Sequence, residues 1–228
     1  QSFVLANKAN ADLTVDYAYL LRSQSKKLLI VVSGNHGPEG YSGATAQELL
    51  MKSYVPALEE AGIDVVLIHA LNPFGYKFNQ RTDEDNVNLN RNFGTEEKMF
   101  AEENANYERF REVLEPHEYV TSSTSFLLRL KLIWELIKSG FNTKDFAQGM
   151  NAGQYQSQPG LSFGGFKFQP QVQFVENLLK PILPQYQEIL FLDMHTGLGE
   201  KNTLHIMPAE NISDYALKRS QDIFDFDS

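Results

Sequence analysis

The sequence predicts an α/β fold with a mostly parallel or mixed central sheet flanked by helices, and three features carry that expectation. Leu28–Ser33 (LLIVVS), Ile63–Ala70 (IDVVLIHA) and Glu188–Asp193 (EILFLD) are continuous apolar runs of strand length, the pattern of strands buried on both faces. Between the first two, Thr45–Ala61 repeats Leu49, Leu50, Tyr54 and Leu58 at helical spacing and stops at Gly62. Strand, helix and strand in this order imply a parallel pair joined by a right-handed crossover.

The other elements follow along the chain. The first strand runs into Gly34, with Gly37, Pro38 and Gly40 behind it, so the chain turns sharply there. Asn72 to Phe93 is rich in Asn, Asp and Arg and has little periodicity; such a long polar segment in a compact domain is functional or disordered. Glu96–Val113 and Ser125–Ser139 read as helices, Gly149–Gly165 as a glycine- and glutamine-rich loop, and Val172–Leu179 as a helix ending before Pro181. Glu188–Asp193 is then a third buried strand. No internal repeat and no Ser/Gly linker divides the chain, so residues 1–228 are expected to form one domain.

Composition narrows the function. Hydrophobic residues make up 42% and aromatics 12%, enough for one sizeable core. The net charge of −9, from 20 basic and 29 acidic residues, works against phosphate-backbone binding, and no nucleic-acid partner is expected. No apolar run is long enough to cross a membrane, and no membrane partner is expected. The absence of cysteine excludes a disulfide framework, cysteine-ligated zinc and a thiol nucleophile. The chain opens at Gln1 without the charged-then-apolar order of a signal peptide, and the expected location is cytoplasmic. A trimmed start or a removed leader would both fit that opening.

Two strand ends carry metal-ligand chemistry. His36-Gly-Pro-Glu39 follows the first strand directly, and ligand sites in open α/β sheets gather beyond the carboxyl ends of strands. Zinc accepts imidazole nitrogen and carboxylate oxygen, and catalytic sites keep three protein ligands plus water. A His and a Glu three apart would equally suit an exposed polar turn. His195, in Asp193-Met-His195-Thr-Gly, also ends an apolar strand; alone it would read as a satisfied polar residue. Two such motifs in equivalent positions favour a shared ion. Asp193 fits either a group supporting the ligands or a plain strand-end carboxylate. The third piece, Asn72-Pro-Phe-Gly75, Arg81 and Asn86-Val-Asn-Leu-Asn90-Arg91-Asn-Phe93, supplies guanidinium groups suited to a carboxylate or an oxyanion, or else a solvated loop.

SGNHGPEGYSGATAQ, NPFGYKFNQRTDEDNVNLNRNF and LFLDMHTGLGE together resemble the zinc carboxypeptidase superfamily, in particular a poorly characterised bacterial branch related to the succinylglutamate desuccinylases and aspartoacylases. The resemblance runs from Ser33 to Glu200 in the family's order. It implies that His36, Glu39 and His195 are zinc ligands. It implies that Arg81 polarises the scissile carbonyl and steadies the oxyanion, and that Asn90 and Arg91 grip a terminal carboxylate. Zinc-activated water would then attack an amide carbonyl. The expected substrate is a peptide or an N-acyl amino acid with a free carboxylate, and a metal-binding domain without turnover is the non-enzymatic alternative.

Two departures bear on activity. Where the family has an aspartate that orients the first histidine, this chain has Asn88, an uncharged acceptor that lowers ligand basicity. The family's general-base glutamate lies well downstream of the third ligand. Here only 33 residues follow His195 (228 − 195), and Glu200 and Glu210 lack that setting. The expectation is a catalytic domain incomplete at its C-terminus, which binds metal but hydrolyses poorly. The insert at Leu114–Met150 and the Tyr- and Gln-rich loop after it are expected to shape the pocket.

Overall fold

The computed structural model describes residues 1–5, 12–22, 24–115, 121–138, 140, 143–197, 200, 203–209 and 212–224. The chain forms two compact units, Gln1–His195 and Thr196–Ser228. The second unit contains one helix among its described residues, α8 (Asp214–Phe224), and Glu210 lies outside those residues.

Among the described residues the strands lie in the first unit: β1 (Ser2–Val4), β2 (Thr14–Leu20), β3 (Lys27–Ser33), β4 (Ile63–His69) and β5 (Glu188–Met194). Their order in the sheet is β1-β2-β4-β3-β5. The pairs β1/β2 and β2/β4 are antiparallel, and β4/β3 and β3/β5 are parallel. The sheet is therefore mixed. The apolar runs announce its parallel half, whereas the short β1 and the half-exposed β2 lack such a run.

Alternation along β3 separates two apolar layers. Leu28, Ile30 and Val32 join Val66, Ile68 and the α7 residues Val172, Val175 and Leu179 (α7, Pro170–Leu179) in the main core. Leu29 and Val31 face Val65, Leu67, Leu50 and Leu58 on the other side. β5 differs from expectation: Ile189 and Phe191 are 45% and 46% exposed, so it is an edge strand and not a buried one. An apolar run reports what a strand could bury, while its neighbours decide what it does bury.

The crossover helix begins earlier than its leucine spacing suggests. α1 spans Gly40–Leu49, a wide turn covers Leu50–Tyr54, and α2 covers Val55–Glu60. The Val55 amide reaches back five residues to the Leu50 carbonyl, and Pro56, which has no N–H to give, follows immediately. α1 is fastened to the sheet by the buried Gln47. Its amide nitrogen donates to the Val31 and Ile68 carbonyls, both at 2.9 Å, and its oxygen accepts from Ser33 Oγ at 2.9 Å.

Beyond β4 the chain forms α3 (Pro73–Phe78), α4 (Ala105–Leu114), α5 (Ser122–Lys138) and α6 (Thr143–Asn151). The single helix expected over Glu96–Val113 is broken, because Asn104 Oδ1 accepts the Tyr107 N–H at 2.9 Å and starts α4 there. Residue 139, at the expected end of α5, lies outside the described residues. The polar segment from Asn72 to Phe93 is ordered by its own amides. Asn86 Nδ2 donates to the Gln158 and Gly160 carbonyls, and buried Asn92 donates to the Gly164 and Lys167 carbonyls while accepting the Gln169 N–H. These bonds lace the segment to the glycine- and glutamine-rich loop.

Asp83 closes the tightest part of this segment. Its Oδ1 accepts the N–H groups of Asp85 at 3.0 Å and Val87 at 2.8 Å. Burial outweighs those two donors and pushes its carboxyl up to about 7. The folded chain therefore holds a proton at Asp83 that the unfolded chain has released above about pH 4. Stability from this group is complete below that pH and is lost as pH rises through about 7. Asp83→Asn keeps the acceptor and removes the titration, so thermal melts from pH 4 to 8 should lose part of their decline with pH. An unchanged slope would refute the raised pKa.

Candidate metal centre

The site begins where the parallel strands separate. Gly34 and Ala70, just past β3 and β4, both take positive φ, at 69° and 51°. Ala70 is an uncommon residue for that conformation, and strain of this kind is held in place by its surroundings. Here Leu71 and Asn72 donate to the Ser33 and Gly34 carbonyls at 3.0 and 2.8 Å. The chain leaves β3 as the tight turn Asn35–Glu39, and Val32 lies opposite Asp193 in the parallel register. His195, two residues further along the β5 chain, thus reaches the same end of the sheet as His36.

The glycines of the turn make room for α3. A Cβ on Gly37 would lie 1.9 Å from the Gly75 carbonyl carbon, and one on Gly40 would lie 2.7 Å from Tyr76 Cδ2. Asn72 begins α3 by accepting the Gly75 N–H at 2.8 Å and also donates to the Arg81 carbonyl at 3.3 Å. Backbone seated directly on backbone therefore places the Arg81 segment beside the histidine turn.

His36, Glu39 and His195 form the cluster of the described residues in which potential ligand atoms lie within 4.8 Å of one another. Both imidazoles aim Nδ1 at the same carboxylate: His36 Nδ1 lies 2.9 Å from Glu39 Oε1, and His195 Nδ1 lies 2.8 Å from Glu39 Oε2. Both also anchor Nε2. His36 Nε2 faces Asn88 Oδ1 at 3.0 Å, and His195 Nε2 faces Asp193 Oδ2 at 2.8 Å. Anchoring Nε2 fixes ring orientation and directs the Nδ1 lone pair inward, the usual arrangement around a metal-ligating histidine.

The charge balance is uneven. Burial disfavours the His195 cation, but Asp193 and Glu39 on its two sides outweigh that and raise its pKa to about 9. His195 is therefore an imidazolium at neutral pH in the metal-free chain, and a cation entering the cluster takes the place of that proton. Two nitrogens and a carboxylate are a donor set that zinc accepts, with ligand atoms about 3.3 Å apart around a tetrahedral ion. The two imidazole–carboxylate contacts, 2.9 and 2.8 Å, are within about 0.5 Å of that, and no ligand pair of the cluster is more than 4.8 Å apart. Asn35 Oδ1 and Asp193 Oδ1 are buried beside the cluster and accept no hydrogen bond among the described residues.

The remaining sequence candidates are distributed unequally. Asn90 stands against His195, with Nδ2 3.3 Å from Nε2, and its Oδ1 accepts from Asn35. Arg91 is committed to backbone: Nε donates to the Asn151 carbonyl at 2.7 Å, Nη2 to the same oxygen and Nη1 to the Asn90 carbonyl at 3.2 Å. Arg81 is exposed, and its guanidinium makes no hydrogen bond or ion pair among the described residues. Glu200 belongs to the second unit, where its amide donates to His205 Nε2 at 3.1 Å.

Asn35 was not singled out by the sequence. It is buried and donates to both Asn90 and Asp193, joining all three motifs. Its position between Gly34 and His36 was the available signal. Asp193, left open by the sequence, touches His195 directly.

Because the Gly37 contact is with backbone, Gly37→Ala should cost about 1–3 kcal/mol or more in denaturant unfolding. Gly62→Ala serves as the comparison, since a Cβ there meets nothing within 4 Å and only its φ of +69° is strained. A smaller loss at Gly37 than at Gly62 would refute the crowding argument.

No curated protein matches the chain, and no solved structure matches it. A family model does match, over residues 1–227. The chain belongs to the family described as a protein of unknown function, DUF2817.

Proposed function

We propose that the chain is a zinc-dependent hydrolase of the carboxypeptidase type, which cleaves an amide bond next to a free carboxylate. One observation carries the reading: two imidazoles from neighbouring parallel strands turn Nδ1 toward one carboxylate while partners hold both Nε2 atoms. Three protein ligands of this kind leave one position of a tetrahedral ion for water or substrate. The motifs from Ser33 to Glu200 that resemble the zinc carboxypeptidase superfamily support the same reading.

His36, Glu39 and His195 would hold the ion. When bound, zinc supplies Lewis-acid polarisation of a carbonyl and acidifies a water. The chain's own residues do the rest. Asn88 and Asp193 keep the rings oriented, and Asp193, as an anion, makes His195 the more basic ligand. Asn88 gives His36 a neutral acceptor only. Arg81 is the cation available to steady a developing oxyanion, since a guanidinium stays charged at working pH. Asn90 and Arg91 would bind the substrate carboxylate only by exchanging their present partners. Glu39 and Asp193, the carboxylates that touch the rings, are both held by His195, so neither is presented as a general base.

Elemental analysis of the purified chain should find close to one zinc, and His36→Ala and His195→Ala should each lose it. Full metal retention in both variants would sink the assignment. Dipeptides with free and amidated C-termini, assayed beside N-acyl amino acids, test the substrate class, and turnover confined to the acyl compounds would replace the peptidase by a deacylase.

The arginines should separate kinetically. Arg81→Ala is expected to lower turnover by roughly a hundredfold, and Arg91→Ala to raise KM and weaken the preference for a free carboxylate. Identical kinetic profiles would show that the two roles are wrongly divided.

A further inference from the structure

Among the described residues, helix α5 packs on α4, and none of its 17 residues is buried. The inner stripe, Leu128, Leu132 and Leu136, is half-covered. At 3.6 residues per turn, Phe126, Leu127, Leu130, Ile133, Trp134 and Ile137 share the opposite face. Each of these six is 47–61% exposed. A contiguous apolar face of that size on a charged protein marks a contact surface.

The borders of the face indicate its partner. Arg129 lies along the edge beside Ile133, while Lys131 and Lys138 lie along the other edge beside Leu127. Glu135, the helix's single acidic residue, sits away from the face and is mostly covered. Lys131 and Lys138 reach Glu112 and Glu135, but both lysines stay at least half exposed, and surface pairs of this kind are weak. Three cations against one anion is a local reversal in a chain of net charge −9. A second copy of the same face is a poor partner, because with cations on both borders every symmetric pairing sets cation against cation. An anionic surface answers both borders at once.

We propose that α5 seats this chain on membrane surfaces that contain anionic lipid, with Phe126 and Trp134 entering the headgroup boundary. An apolar face bearing Trp, Phe and Leu between Lys and Arg borders is the composition of a helix that lies in the interface plane. No described helix, α5 included, is long and apolar enough to cross a membrane, so α5 lies on the surface and does not span it. The sequence expectation of no membrane partner rested on the lack of a spanning run; α5, interrupted by Arg129, Lys131 and Glu135, makes no such run, and its outer face is recognised only once its packing is known.

Trp134 is the chain's one tryptophan, so its fluorescence reports this face alone. Adding vesicles of mixed phosphatidylserine and phosphatidylcholine should shift its emission to the blue and carry the protein up in a flotation gradient. Pure phosphatidylcholine vesicles should do neither at the same lipid concentration. The triple variant R129Q/K131Q/K138Q should bind the anionic vesicles roughly a hundredfold more weakly, from about fivefold per cation. Phe126→Ser with Ile133→Ser should abolish flotation while circular dichroism stays unchanged, since both side chains are exposed. Three results would overturn the proposal: no shift with anionic vesicles, equal binding to both vesicle types, or a blue shift that grows with protein concentration without lipid. The last would make the face a protein interface.

Discussion

The parallel ladder between β3 and β5 is the contact on which the candidate site depends. It sets Val32 level with Asp193 and Ser33 level with Met194, so the residues that follow each strand emerge side by side. His36 and His195 are 159 positions apart in sequence (195 − 36), yet their ring centroids lie 5.0 Å apart. A slip of one residue in that register would send Asp193 and His195 to the opposite face of the sheet. Met194 opposes such a slip, since it packs with Leu29 and Val31 against Val65 and Leu67 and would have to leave that layer. Gln47 adds a further constraint, with one amide bonded to the ends of β3 and β4 together. Packing energy spent on hydrophobic burial thereby becomes positional accuracy at the polar end of the sheet.

Electrostatics explains why the cluster suits a cation. Asp193 and Glu39 bracket His195, and Glu39 is shared with His36. Carboxylates on both ring nitrogens of one imidazole favour a positive charge between them. In the metal-free chain the His195 proton supplies that charge, which is why its pKa rises although burial acts the other way. A cation held on the Nδ1 side would replace that proton beside Glu39 and leave Asp193 on the Nε2 side, and Asn88 gives His36 a neutral acceptor. The same balance leaves both carboxylates occupied, a trade of ligand orientation against general-base capacity.

Apart from α3 and a single turn at Leu89–Arg91, the segment from Asn72 to Phe93 lacks regular secondary structure, and side-chain amides bonded to backbone order it. Asn72, Asn86, Asn88 and Asn92 each bond a backbone group of their own segment or of the loop around residues 158–169. A net gain of about 1 kcal/mol per bond is modest, but leaving such a buried amide unmet would cost more. The segment therefore behaves as a fitted part of the site, with Asn88 and Asn90 against the two histidines. In α5 the contrast is complete: its exposed face carries apolar side chains and no carboxylate.

The parallel half of the sheet was legible in the sequence, because continuous apolar runs and a 3.6-residue spacing are local patterns that hydrophobic burial writes directly into the chain. The three ligand candidates were legible for a related reason: each follows a strand, and the glycines around His36 are needed wherever backbone meets backbone. The antiparallel strands β1 and β2 were not legible, since the edge strand β1 and the half-exposed β2 need no apolar run. The break before α4 turned on one asparagine side chain choosing a backbone amide, a competition that spacing cannot score. Neither the partners of Asn35 nor the commitment of Arg91 to the Asn151 carbonyl could be read, because both depend on residues that are distant in sequence. Residue types and their local spacing determined which groups could bind a metal. Register, burial and the pairing of buried polar atoms decided which groups face one another, because those depend on distances that exist only after the chain has folded.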